Sequence, residues 1–352
     1  MPDDRVPQKG RRARAKLADV AAAAGVHVST VSRVLRDDRT GRVSPAVAAR
    51  IRNTAQALGY SAHPLAAGMR TRSTRSIGMI VHDISDPVYP PILGGLERRM
   101  GAAGYMVVLG NTGYEPAAEL AMLDQMAARM MDGVILCTTR RDDPVATRAR
   151  DLGIPVVSVL RQTDAGLCSA VVNDCAAGMR AIAQAVLDCG HRDIAAIGAP
   201  QDLSTARERQ AAVAGTLHAG GAALAEDRVA FVPRMTVEEG RRAMEQVLSR
   251  RADRPTAVIA VNDLVAIGAL QVCRAAGLRC PDDISITGYN DIPHLDMLDP
   301  PLTTVAMDLT AIGARAAALM LDHLADPRMP LRVDTVAPTL RLRGSLGPPP
   351  GL

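Results

Sequence analysis

The 352-residue chain has no tryptophan, one phenylalanine (Phe231) and five tyrosines. So few rings exclude the stacking platforms on which single-stranded nucleic acid is usually held. Lysine is nearly missing as well, with only Lys9 and Lys16, so almost every cation is an arginine. The six cysteines (Cys137, Cys168, Cys175, Cys189, Cys273 and Cys280) include no C-x-x-C pair, and no histidine stands at zinc-finger spacing. They read as small buried hydrophobes in a reducing compartment. No apolar run approaches the ~18 residues of a transmembrane helix, and MPDDRVPQKGRRARAK lacks the apolar stretch of a secretory signal. A soluble cytoplasmic protein without membrane contact is expected. Also missing are a P-loop, a G-x-G-x-x-G after the first strand, a G-x-S-x-G and an H-E-x-x-H, and the seven histidines are scattered. Catalysis, a cofactor and a metal are therefore not expected.

What is present points to a folded chain of two or three domains, 48% hydrophobic and 22% charged. Its charge is uneven. Residues 1–75 carry 15 Lys or Arg against 5 Asp or Glu, while the remainder carries 26 against 32. A basic head on an acidic body predicts that only the head meets a polyanion.

Residues 1–15 are polar and Arg-rich and predict a disordered basic tail. Residues 16–61 read as all-helical, and 62–76 as a short basic joint. From Ile77 onward, apolar runs such as IGMIV (77–81), YMVVL (105–109), GVILC (133–137), IPVVSV (154–159), DIAAIG (193–198), TAVIAV (256–261) and DISITG (283–288) alternate with helix-length stretches. This rhythm predicts an α/β body of doubly wound parallel sheets, and its length suits two similar lobes.

In the head, Leu17, Val20 and Ala21 share one helical face, Gly25 suits a tight turn, and Val31, Val34 and Leu35 face inward from a second helix. Ser29, Thr30, Ser32 and Arg33 lie on its outward face, as groove contacts require. A third helix begins at Ser44-Pro45, carries Val47, Ile51, Thr54/Ala55 and Leu58 inward, and ends at Gly59. A bare three-helix bundle with solvated arginines is the plain alternative; the charge of the head favours a helix-turn-helix.

KLADVAAAAGVHVSTVSRVL (16–35) followed by RVSPAVAARIRNTAQALGY (42–60) resembles the headpiece of the lactose/galactose-repressor (LacI/GalR) family of bacterial transcription factors. The resemblance continues through IGMIVHDISDPVY (77–89), MDGVILC (131–137), GIPVVSV (153–159), AVNDLVAIGAL (260–270), DISITGYND (283–291) and PPLTTV (300–305), in family order. It implies a periplasmic-binding-protein-like body and a repressor by default. It places Val28 and Ser29 at base edges, Arg33 at a base or phosphate, and Thr30 and Ser32 at phosphates of a double-stranded operator. It also implies a hinge helix over 62–70, with His63 at the DNA and Met69 as a minor-groove wedge. His27 departs from the usual capping Ser and is expected to cap poorly.

For the body, residues 77–345, the resemblance implies dimerisation and effector binding. Lobe one is expected at about 77–173 plus 304–330, lobe two at about 174–303 plus 331–345, and a flexible tail at 346–352. Effector contacts are expected where loops leave strand ends: His82, Asp86 and Tyr89 after the first strand, Thr138 after the third, Arg161 after the fourth, then Arg209, Met235, Asn262 and Asn290. Leu160 and Asn290 stand where relatives often have acids, and Met235 where they often have an aromatic. The pocket is therefore expected to lack the carboxylates and ring that sugars favour. Arg161 and Arg209, with Arg234 beside Met235 as a candidate third, suit the carboxylate or phosphate of a small anion such as a sugar acid or organic acid, with a neutral sugar as the alternative. An α/β enzyme with a fused head would need the missing catalytic constellation. A free-standing receptor would need a signal peptide and no basic head. The tail GPPPGL has no leucine heptads, so a nucleoid-associated homodimer rather than a tetramer is expected.

Overall fold

The computed structural model describes residues 15–35, 43–60, 73–250 and 253–351. The chain divides into two compact units, one through Thr74 and one from Arg75. The expected basic tail and hinge helix, with His63 and Met69, lie outside the described residues.

The first unit holds α1 (Leu17–Ala24), α2 (Val28–Val34) and α3 (Pro45–Ala57). Val20, Val31 and Ile51 are sealed from solvent, with Ala21, Ala24, Val34 and Ala55 around them. Small alanines let α1 and α2 approach closely, and Gly25 (φ 63) takes the left-handed turn between them. The Ser44 hydroxyl accepts from Val47 N–H, and Pro45 opens α3 where its missing N–H costs nothing. Leu58, expected in the inner stripe, is instead 42% exposed. The chain turns back at Gly59 (φ +60), and Tyr60 packs on the core in its stead.

The second unit runs β1 (Ser76–Val81), α4 (Tyr89–Ala102), β2 (Met106–Asn111), α5 (Pro116–Ala128), β3 (Gly133–Leu136), α6 (Pro144–Asp151), β4 (Val156–Val159), β5 (Ser169–Asn173), α7 (Cys175–Asp188), β6 (Ile194–Gly198), α8 (Ser204–Ala219), β7 (Val229–Phe231), α9 (Val237–Ser249), β8 (Ala257–Ala260), α10 (Asp263–Ala275), β9 (Ser285–Thr287), β10 (Thr304–Ala306), α11 (Leu309–Ala325), β11 (Val333–Val336) and β12 (Thr339–Arg341). Lobe one has a parallel sheet in the order β11-β5-β4-β3-β1-β2, and lobe two one in the order β7-β6-β8-β9. The central strands β3, β4, β6 and β8 are buried at every position, which is why they read as unbroken apolar runs. The chain passes between lobes after β5, after β10 and after β11.

The lobe boundaries differ from expectation in two places. Residues 333–336, assigned by sequence to lobe two, add β11 in parallel beside β5 of lobe one. Residues 304–306, assigned to lobe one, pair antiparallel with β12 and bridge to Asn290 of lobe two. Both are short crossing strands whose partner is set by where the chain changes lobe, which local pattern does not encode. The tail also begins later than expected. Ser345 is fully buried, donating N–H to the Pro301 carbonyl (3.0 Å) and its hydroxyl to the Ile286 carbonyl (2.6 Å). Gly347 then accepts from the His191 imidazole Nε2 (2.8 Å) and donates to the Ser285 hydroxyl (3.1 Å).

A candidate effector cleft and a nucleic-acid-binding head

On the head, the turn into α2 is built around His27. Its backbone is extended (φ −68, ψ 146), as a helix N-cap requires, and its Nδ1 accepts from Ser29 N–H at 3.3 Å and meets the Ser29 hydroxyl at 2.7 Å. The expectation of a poor cap is thus overturned: the unprotonated ring nitrogen supplies the lone pair a serine oxygen would supply. Val28 and Ser29 are exposed at the start of α2, and Thr30, Ser32 and Arg33 are half-buried along it.

In the body, a tight cavity of about 40 Å³ lies between the lobes at the carboxyl ends of the strands. From lobe one it receives Asp86 and Tyr89 after β1, Leu160 and Arg161 after β4, and Asn173 at the end of β5. From lobe two come Thr205 and Arg209 of α8, Met235 before α9, Asn262 before α10 and Asn290 after β9. Of the nine residues expected from sequence, seven therefore line one cavity. A roomier hollow of about 290 Å³ lies at the opposite strand ends of lobe one, among apolar residues such as Ile154, Leu167 and Met329. It brings few polar groups together.

Each polar wall residue is held by the fold. The Asn262 side-chain oxygen caps α10 by accepting from Val265 N–H at 3.0 Å. Asn290 (φ 121) and Leu160 (φ 70) occupy left-handed backbone as non-glycine residues, a strained conformation of the kind found at binding sites. Arg209 is 7% exposed; one guanidinium nitrogen donates to the Val261 carbonyl at 2.8 Å, and the group lies 3.8 Å from the Tyr289 ring centroid. Its Nε is buried without a hydrogen-bond partner, as is Asn173 Oδ1. Burial pushes the Asp86 carboxyl above its ordinary range, with the Val88 N–H and Arg161 opposing.

Arg161, 6% exposed, donates to His82 Nε2 at 3.0 Å. Because guanidinium can only donate, Nε2 must be the accepting nitrogen and the ring proton sits on Nδ1, 3.4 Å from Glu119. Burial accordingly holds the His82 pKa below its usual value against the pull of Glu119. Glu119 is sealed at 0% exposure. Burial opposes its charge, yet His82 and Arg140 (3.3 Å) hold its carboxyl below the ordinary range. Neither Arg161 nor Arg209 is paired with a carboxylate among the described residues.

Two expected residues fall elsewhere. His82 lies behind Arg161 and lines a neighbouring hollow. Thr138 is fully buried beside Glu119 and lines neither space, because the loop after β3 turns it inward and presents Arg140 instead. The expectation of a pocket without carboxylate or aromatic is also corrected: Asp86 and Tyr89 line it, and Tyr114 stacks on His82 next door (4.7 Å, 6°). Sequence reasoning passed over Asn173, Thr205, Arg140 and Tyr114. The first lies at the end of a strand, SAVVN, too short to stand out. Tyr114 follows the recognised strand β2 and was findable by the rule used for the others.

Among the described residues no helix is long and apolar enough to cross a membrane, and no cluster of metal-ligating side chains occurs. Residues 16–63 match the model for bacterial regulatory proteins of the lacI family, and residues 183–346 that for a periplasmic binding protein-like domain. The chain is 32% identical over 321 residues to the HTH-type transcriptional regulator CelR of Thermobifida fusca, covering 89% of this chain and 93% of the relative. It is 30% identical over 343 residues to the HTH-type transcriptional repressor PurR of Pectobacterium carotovorum subsp. carotovorum (strain PC1), covering 96% and 98%. A solved complex of a transcriptional regulator CelR with cellobiose superimposes with a TM-score of 0.73 at 29% identity, covering 94% of this chain and 100% of that one.

Proposed function

We propose, since the chain belongs to the LacI family of bacterial regulatory proteins, that it binds a pseudo-palindromic operator as a homodimer and is switched by a small anion held between its lobes. The relatives are transcriptional regulators, and the fold is theirs. The proposal concerns the ligand, the operator and the assembly. Val28 and Ser29 reach base edges, Arg33 a base or a nearby phosphate, Thr30 and Ser32 hold phosphates, and His63 and Met69 act at the hinge. Two heads related by a two-fold axis supply the affinity that a single head lacks.

One observation carries the effector reading. Two guanidiniums, Arg161 and Arg209, are more than nine-tenths buried in the same cavity without a carboxylate partner among the described residues. Asp86 acts on Arg161 and Asp263 on Arg209 only from a distance, so a carboxylate or phosphate placed between the two guanidiniums gains direct charge-assisted bonds and satisfies the free Arg209 Nε. Asn173, Asn262 and Asn290 suit the hydroxyls of a sugar acid. Closure on such a ligand shifts the lobes and thereby the heads.

A neutral sugar is the second reading. Asp86 in the wall and the cellobiose complex of the related CelR favour it. Calorimetry with gluconate and glucose separates the two, alongside operator titration by fluorescence polarisation. The anion reading expects gluconate to bind and change operator affinity, and Arg209→Ala to weaken gluconate about a hundredfold while leaving operator binding intact. Tight glucose binding with no response to acids would sink it.

A further inference from the structure

A second, roomier hollow of about 160 Å³ adjoins the effector cavity, and Arg161 and Met235 line both spaces. Its charged rim comes from both lobes: Arg140 and Arg161 from lobe one, Arg234 and Asp202 from lobe two. Three guanidiniums thus meet one rim carboxylate, with Glu119 paired behind Arg140 and the charges of Asp83 and Asp86 also felt at Tyr114. Asp202 lies 3.5 Å from Arg140, while Arg234 meets the Tyr114 ring (5.3 Å to the centroid) and forms no ion pair among the described residues. Glu119, sealed behind Arg140, has its charge taken up by His82 and Arg140 and does not reach Arg234. The wall is preorganised: His82 and Tyr114 are stacked in parallel, and Tyr114 is held at φ 68, a left-handed conformation costly for an aromatic residue.

We infer that this outer hollow is a second anion subsite, so that the effector carries two negative groups. The inner group lies against Arg161 and Arg209. The outer group, a terminal phosphate or a second carboxylate, is held between Arg140 of lobe one and Arg234 of lobe two. Guanidiniums approaching across the cleft repel one another, and an anion between them converts that repulsion into a lobe-to-lobe bridge. Arg161, with five N–H donors of which His82 accepts one, lies where the two groups of a single ligand would both reach it. The inference rests on the anionic reading of the inner cavity and extends it from one charge to two.

The test is calorimetry on the full-length protein with glucose, gluconate, glucarate and 6-phosphogluconate, using the wild type, Arg234→Ala and Arg234→Lys. Arg234 is exposed and does not line the inner cavity, so its loss leaves gluconate binding within twofold of wild type on this account. Wild type binds at least one of the two dianions about tenfold or more tighter than gluconate. Arg234→Ala abolishes that gain and Arg234→Lys restores part of it. If phosphate alone gives the gain, the outer group is a phosphate; if glucarate alone, a carboxylate. Gluconate binding with no gain from either dianion, or a gain that survives Arg234→Ala, overturns the outer subsite and leaves the inner reading standing. Binding of glucose alone, or of no member of the series, overturns both.

Discussion

At the start of α2 an imidazole performs the task usually given to a hydroxyl. His27 Nδ1 caps α2 only while its lone pair is free, and in doing so it ties down the hydroxyl of Ser29. Replacing His27 with alanine removes the cap at a cost of about 1 kcal/mol. Amide exchange across α2 in the full-length protein should then quicken about fivefold, with weaker operator binding, whereas His27→Ser should preserve both. Unchanged protection in the alanine variant would show that the cap is idle. In the cleft the same lesson runs the other way. Asn262 was legible because it follows a strand, and Arg209, inside α8, because it carries a matching motif. Arg140 was not: Thr138 and Arg140 leave the same strand end, and only the direction of the loop after β3 decides which one faces the cleft. Leu160 was noticed for the acid it replaces, yet it too lines the cavity, in strained backbone.

Two features of the elements set how firmly the lobes hold their shape. In lobe one α4 and α11 cross at Gly95 and Gly313, where an added methyl would collide with the Thr310 and Ile92 carbonyls; in lobe two α9 and α10 cross in the same way at Gly240 and Gly268. Gly313→Ala should destabilise the body by about 1–3 kcal/mol, since backbone cannot move aside as a side chain can. Thermal unfolding measures it, and an unaltered Tm would mean that the helices separate freely. The C-terminal segment is a second such feature. Truncation after Leu342 removes the Ser345 and Gly347 bonds and should lower Tm by about 5 °C or more, whereas truncation after Gly347 should leave it unchanged. His191 makes this clamp pH-dependent. Burial holds its pKa below the ordinary value, with the Gly347 carbonyl opposing. The unfolded chain therefore takes up a proton first as pH falls. The contribution is whole above about 6.5 and is lost as the pH drops through the lowered folded-state value. The Tm advantage of wild type over His191→Asn should accordingly shrink between pH 7.5 and 5.5.

For the whole molecule, the charge division between head and body gives the sharpest expectation. If two heads grip one palindrome, the log–log salt slope for the full operator should be about twice that for a half-site, each phosphate contact adding about 0.9 to it. Equal slopes would mean a single head engages. Sequence by itself determined the all-helical head, the alternation of strand and helix, the basic–acidic division and most of the cleft's wall, because each is written in local periodicity or in loops that leave strand ends. Tertiary structure alone decided which lobe β10 and β11 join, that the start of the expected tail at Gly347 is packed rather than free, and which side chain after β3 meets the cleft. It also decided that Arg161 stands between two hollows with His82 and Glu119 behind it. Those outcomes depend on contacts between residues far apart in the chain, such as β11 beside β5 or Arg161 against His82, which no local pattern encodes.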